Sequence, residues 1–573
     1  MFTGFSGGVR AARAWRCAAA IALPGALLAG CLESEPPARA AAGVSTQSNP
    51  PAPAAPGCPA SVDPLRFASS GELWADHIFL DSLGARPTAS PSHQQFVDWI
   101  AARLDRIPGL ERRSMDFAIN RWLETSAQLD AGPAPVALGA LRVSGAVPYS
   151  MPTPPEGVTA PMVYVPTGTA ITSVDVKNKI VLRDAATGSV PQAAFAALEW
   201  WSYDPDLTLT SGIAGNYERD FLAYDQRMQD LRDAGTAGAA GMIMLHSFPY
   251  EQVRGHYAPY EGVLWPVPAL YVGVDEGEQL KTLAAAGGQA RIRLAADESS
   301  APTQTLIATL PGVSSERLVV ESHTDGTNVH EDNGPLLMLR MLEYFAALPQ
   351  ECRPKTLEFA FTTAHFHQQI FPPLRNAGAE QYARELDRDY ENGSVAMVLA
   401  VEHVGTRQYA AVARTGAPGR EMKLTGNEEA KSFFVNDSPV MVATLAQVVI
   451  THDDRGTIAL RGADLPGAHL PLHFSFGGEG TPYNLHLIPT IAYITAPWAL
   501  YNPAFGLEVL DQEQVYRQTL MFTDLIGALA PLSRYALAGG LLAERAARAQ
   551  ICAAQGDNQS LVRCEGTPAG GSP

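Results

Sequence analysis

Apolar positions along the chain fall into two textures. Over 135–296 they come as short β-rich runs broken by Gly and Pro, which predicts strands near 162–165, 179–182, 238–244 and 266–272. A helix from Asp275 to about Ala285 follows them. Beyond residue 299, buried-type strands at 317–322, 356–362, 395–401 and 487–494 alternate with helical stretches, clearest over 335–347 and 512–532. That alternation predicts an α/β layered fold with a mixed, mainly parallel central sheet, in which functional residues gather at strand ends. Ahead of the β-rich part, Ser90-Pro91 starts a helix, and Phe96, Ile100 and Leu104 repeat along one face of it.

The first residues have a different purpose. Arg10, Arg13 and Arg16 precede a short apolar run from Cys17 to Leu28, too short for a membrane span, which ends in Leu28-Ala29-Gly30-Cys31. This is the form of a secretory signal, and its ending resembles a bacterial lipobox that leaves Cys31 lipidated at the new N-terminus. Leu32 after the cysteine favours the outer membrane in a host that has one. Six prolines between Ser34 and Gly57 make a spacer that cannot pack. The chain thus divides into a signal (1–31), a linker (32–62), the first part of the layered domain (63–134), a β-rich insert (135–298), the main part (299–540) and a tail (541–573).

Charge removes one class of partner. With 41 Lys and Arg against 59 Asp and Glu, the net of −18 and the lack of a basic stripe argue against nucleic acid. Past Cys17 and Cys31, an even set of Cys58, Cys352, Cys552 and Cys564 in an exported chain suggests disulfides. Three pairings are open; Cys552 with Cys564 closes a short loop and leaves Cys58 with Cys352. None has zinc-finger spacing.

Three acid- and His-bearing clusters sit at predicted strand ends or helix starts: 321–326, with His323 and Asp325; 331–334, with Glu331 and Asp332; and 401–405, with Glu402 and His403. Imidazole with carboxylates is a ligand set that zinc accepts, leaving a position for water. There is no Gly-x-Ser-x-Gly elbow, phosphate loop or dinucleotide fingerprint. His367 and His403 are read as supporting histidines.

From Leu318 to Gly334 the chain resembles the co-catalytic zinc exopeptidases, a family of aminopeptidases, glutamate carboxypeptidases and transferrin receptors. The insert, through its "VKNKIVLRD", "AGAAGMIML" and "VPALYVGVDEGEQL" runs, resembles a protease-associated domain, which bears no catalytic residues. The resemblance implies that His323 is a metal ligand, Asp325 its orienter, Asp332 the carboxylate bridging two zincs, and Glu402 a further ligand. Gly478-Glu479-Gly480 falls on a Ser-Asp-His segment of the family. Two positions depart from the pattern: His365-Phe366 replaces a Glu-Glu pair, and Tyr501 replaces the final His. Phe366 has no ligand atom and Tyr501 puts a phenol where the imidazole belongs, so the second zinc loses both of the private ligands that the resemblance implies.

Two functional expectations follow. In the first, the protein is a one-zinc hydrolase of peptides or small amides, with His365 as the general base and the membrane reached through the lipid anchor. In the second, the scaffold is a catalytically inactive binding protein for a protein ligand, without need of zinc. A bland envelope structural protein is a third, weaker reading.

Overall fold

The computed structural model describes residues 57–133, 138–209, 216–259, 262–367, 377–464, 470–471, 473–555 and 563–564. Cys31, the signal and most of the linker lie outside the described residues, and no described helix is long and apolar enough to cross a membrane.

Strands Lys355–Thr362, Ser314–His323, Val395–Val401 and Thr490–Ile494 lie side by side in that order and run parallel throughout. Their side chains alternate between two buried faces. Leu318 and Val320 enter one hydrophobic cluster, with helices Ser70–Ser82, Pro91–Leu104, Gly334–Ala347, Pro439–Thr451 and Gln512–Leu529. Val319 enters another, with helix Ala377–Glu391. Helices therefore cover both faces, and the strands read as continuous apolar runs for that reason. This is the α/β architecture that the alternating pattern predicts. Strands beyond these four, among them Lys431–Val435 against Thr490–Ile494, add antiparallel pairs and make the sheet mixed.

Boundaries differ from the sequence expectation where local chemistry intervenes. The strand expected from 487 begins at Thr490, because Leu487 takes a left-handed turn (φ 56°) after helix Gly480–Leu485. The helix expected over 512–532 stops at Leu529, two residues before Pro531, whose ring cannot continue it. Ser90 caps helix Pro91–Leu104 by accepting from the His93 N–H.

Two 22-residue strands, Glu111–Gly132 and Gln289–Leu310, form an antiparallel ribbon that periodicity did not reveal. At one end Leu306–Leu310 pairs with strand Lys355–Thr362; at the other, Gln289–Ile292 pairs with strand Val158–Val165. The strands beyond, Val158–Val165, Ile180–Asp184, Gly241–Leu245 and Ala269–Val272, are parallel and build a third hydrophobic cluster.

Both disulfides are formed, Cys58–Cys352 and Cys552–Cys564, with Cα separations of 5.3 and 5.8 Å. Helix Leu541–Gln555 is held by a buried ionic cluster. Arg548 donates to Asp387 at 2.7 and 3.0 Å, Arg545 donates to it at 2.9 Å, and the His486 ring lies 3.2 Å from it. Burial alone would raise the Asp387 carboxyl, but His486, Arg548 and Arg545 outweigh it and hold the group well below the carboxylate range. A carboxylate lowered by folding contributes stability above its unfolded pKa of about 4 and loses it as pH falls. Asp387→Asn is therefore expected to cost about 3–5 kcal/mol at pH 7. In denaturant titrations the gap to the parent should narrow below about pH 4; a gap independent of pH would contradict the assignment.

Candidate functional site

The parallel strands deliver their C-terminal ends to one edge, and the three sequence clusters meet there. His323 ends its strand in register with Thr362, and His365 follows Thr362 after a short turn. Glu402 and His403 follow Val401, and Glu331 and Asp332 precede helix Gly334–Ala347. Two of the turns use left-handed backbone at residues other than glycine: Ala364 at φ 64° and His403 at φ 57°. Such conformations are costly and tend to cluster where a side chain must be aimed.

Three imidazoles are aimed alike. His323 Nδ1 lies 2.8 Å from the Asp325 carbonyl, His403 Nδ1 lies 2.7 Å from the Thr495 carbonyl, and His365 Nδ1 is paired with the Glu479 carboxylate. With an acceptor at each Nδ1, a proton belongs there, which leaves Nε2 as the nitrogen that a second proton or a metal ion would take. His323 stacks on His365 with centroids 4.0 Å apart.

The Nε2 atoms face carboxylates. Glu402 Oε2 is 3.2 Å from His323 Nε2 and 3.5 Å from His403 Nε2, while Glu331 Oε1 is 3.7 Å from His403 Nε2 and 3.9 Å from His365 Nε2. The atoms of His323, Glu402 and His403 are close enough to share one ion, and so are those of His323, Glu331 and His365. Yet among the described residues His323 Nε2, His403 Nε2, Glu402 Oε2 and both Glu331 oxygens are buried without a hydrogen-bond partner. Orphaned polar atoms are expensive unless something else meets them. Donors of this type, gathered at this spacing, fit a divalent cation.

Electrostatics agree. Burial pushes Glu331 above the carboxylate range. For Glu402 burial acts the same way, but His403 and His323 reverse it and leave the group lowered. Burial opposes charge on His323, yet Glu331, Glu402 and Glu479 lift it well above the usual range. For His365, burial and His323 push down while Glu479 and Glu331 win, so its pKa is raised. The carboxylates thus favour positive charge on the imidazoles, which is the charge a divalent cation would supply in their place.

Two residues differ from their expected contacts. The Asp325 carboxylate does not orient His323; its carbonyl does. The carboxylate instead accepts from the His365 and Phe366 N–H groups at 3.2 and 3.0 Å and from Thr88 Oγ1 at 2.6 Å, fixing the turn that carries His365. Asp332, expected as the bridging ligand, belongs to neither group of potential ligands. Arg86 holds it bidentately, Nε to Oδ2 at 2.7 Å and Nη2 to Oδ1 at 2.5 Å, with both side chains fully buried. The neighbouring Glu331 is the acid that enters the mouth.

His403, read as a supporting histidine, is part of the cluster, whereas His367 turns away to the Asn120 carbonyl at 3.2 Å. Sequence reasoning gave no role to Glu479, although an acid between two glycines in an apolar stretch was the available signal. Arg86 had no signal at all. Phe366 is buried in the third hydrophobic cluster, where Tyr501 packs at its partly buried margin; their rings lie 5.9 Å apart, and Tyr224 lies 5.2 Å from Tyr501.

No protein-family model and no curated protein matches this sequence. Solved structures do. A zinc aminopeptidase from Bacillus subtilis, BSAP, aligns over 80% of this chain and 94% of its own at 15% identity, with a TM-score of 0.55. A peptidase M28 precursor from Shewanella amazonensis aligns over 81% and 96% at 15% identity, also with a TM-score of 0.55. At such identity the likeness establishes the fold: this chain shares the α/β fold of these two proteins.

Gly478 tests the geometry. A Cβ at this position (φ 53°) would lie 1.5 Å from Glu402 Oε1. Gly478→Ala is expected to displace Glu402 and weaken divalent-ion binding about 10–100-fold in calorimetric titration. Unchanged affinity would mean that Glu402 is not a ligand.

Proposed function

We propose that the protein is an exported, lipid-anchored hydrolase of peptide or small amide bonds that depends on one zinc ion. The carrying observation is the convergence of unpartnered Nε2 and carboxylate atoms from His323, His403, Glu402 and Glu331 at the edge of the parallel sheet. His323, His403 and Glu402 would hold the ion, a two-histidine, one-carboxylate set of the kind found in catalytic zinc sites with an open fourth position. Zinc there would supply Lewis acidity toward a carbonyl and toward water. The fold neighbours are described as a zinc aminopeptidase and a peptidase precursor, which supports both the metal and the substrate class.

The chain's own groups supply the proton chemistry. His365 is the most open of the three imidazoles, its side chain 11% exposed against 3% for His403 and none for His323. Its Nε2 accepts a proton from the attacking water, while Glu479 holds Nδ1–H and compensates the imidazolium. A carboxylate behind an imidazole fixes the tautomer in this way in other hydrolases. Glu331, facing both His365 and His403, keeps the mouth negative enough to retain the cation.

A second reading, a catalytically silent scaffold that binds a protein, draws support from Phe366 and Tyr501, which place aromatic rings where a second metal's ligands were expected. Kinetics separate the two. On aminoacyl amides or dipeptides the zinc-loaded protein should turn over and a chelator should abolish it. His365→Ala should lower kcat about 100- to 10,000-fold with zinc still bound. Full activity in His365→Ala would remove His365 as the base, and no turnover by a zinc-loaded parent would favour the scaffold.

The anchoring rests on the Leu28-Ala29-Gly30-Cys31 step. Cys31→Ser should move the protein from the membrane fraction to the soluble one; a variant that stays membrane-bound is anchored elsewhere.

A further inference from the structure

We propose that Arg86 serves as a built-in second cation of the site, neutralising Asp332 so that a single divalent ion is bound. The inference rests on the one-ion reading above and explains what enforces it. Asp332 occupies the position from which the sequence resemblance would have it bridge two zincs. Here both of its oxygens are taken by the Arg86 fork, in the bidentate geometry that guanidinium and carboxylate share.

The guanidinium cannot easily leave. Nη2 also donates to the Asn328 carbonyl at 2.9 Å, and Nη1 donates to the Leu80 carbonyl at 3.1 Å and to the Gly84 carbonyl. Every nitrogen is engaged, and the side chain is fully buried. The backbone is tied as well: Arg86 N–H donates to the Gly326 carbonyl at 2.7 Å, and Gly326 N–H donates back at 3.2 Å. Thr88 and His93 fasten the same segment to Asp325 and Thr324 at 2.6 and 2.8 Å. An arginine held by so many contacts is a permanent charge; a metal ion exchanges.

The orphaned atoms point the same way. Asp332 has no unpartnered oxygen, whereas both oxygens of its neighbour Glu331 are unpartnered. One of the two acids ahead of helix Gly334–Ala347 is thus spent on arginine, and the other faces the mouth. Phe366 offers no ligand atom to a second ion, and Tyr501 offers a phenol in place of an imidazole. Arg86 is a positioning residue: it touches neither the mouth nor a substrate, and it acts through Asp332.

The test is cobalt(II) binding to metal-free protein, followed by absorption spectroscopy and elemental analysis. The parent should saturate at one equivalent. Asp332→Asn should keep that equivalent with the same d–d spectrum and a Kd changed by less than about tenfold, whereas loss of a ligand or its supporting partner costs about tenfold or more. Because Asp332→Asn strands the Arg86 charge, the double variant Arg86→Met, Asp332→Leu provides a second route, since apolar replacement of both members of a buried pair is often tolerated. It too should bind one equivalent with an unchanged spectrum. Two equivalents in the parent, or a lost or altered cobalt spectrum in a folded variant, would overturn the inference and leave the hydrolase reading standing. A parent that binds no divalent ion would overturn both.

Discussion

Buried negative charge is the constraint on which this molecule depends. Glu321, Glu331, Glu402 and Glu479 lie together with almost no exposure to water, against three imidazoles whose proton-bearing nitrogens are already committed. Isolated carboxylates cannot be buried at acceptable cost, so each needs a cation or a hydrogen-bond donor. Glu479 has His365, and Glu321 accepts from Thr362 at 2.6 Å. Glu331 and Glu402 keep oxygens without a hydrogen-bond partner among the described residues, and so does Glu321 at Oε2. The fold permits this because parallel strands bring four C-terminal ends to one edge, and helix Gly334–Ala347 begins beside Glu331 with its positive dipole end.

Around that charge the structure is built to aim groups rather than to maximise packing. Asp325 fixes the turn of His365, the Asp325 and Thr495 carbonyls fix two ring tautomers, and the absence of a side chain at Gly478 lets Glu402 reach inward. The segment from Arg86 to His93 lies behind all of this and is fastened to residues 324–332 at several points. On the far side, aromatic rings from the 135–298 region and from Tyr501 close over Phe366. One half of the site is thus polar and orphaned, and the other is aromatic.

Much of this was legible in the sequence, for identifiable reasons. Strands buried on both faces leave continuous apolar runs, so Ser314–His323, Lys355–Thr362 and Val395–Val401 were visible, and so were the polar residues that end them. The long ribbon was not, because Glu111–Gly132 is mostly exposed or half-buried and carries little periodic signal. Asp332 and Glu331 could not be told apart by spacing: which of two adjacent acids enters the mouth depends on Arg86, some 245 positions away. His403 looked incidental beside Glu402 until its left-handed backbone turned it inward. Glu479 was seen as part of a motif but not as the partner of His365, since that contact joins two loops by a fold-level approach.

The proposed function places one divalent ion among His323, Glu402 and His403 at the end of the parallel sheet. Anomalous diffraction from zinc-soaked crystals, collected on both sides of the zinc absorption edge, tests it most directly. The account predicts one peak about 2.0–2.2 Å from His323 Nε2, His403 Nε2 and a Glu402 oxygen, with Asp332 still on Arg86. A pair of peaks about 4 Å apart with Asp332 between them, or no peak among these residues, would contradict it.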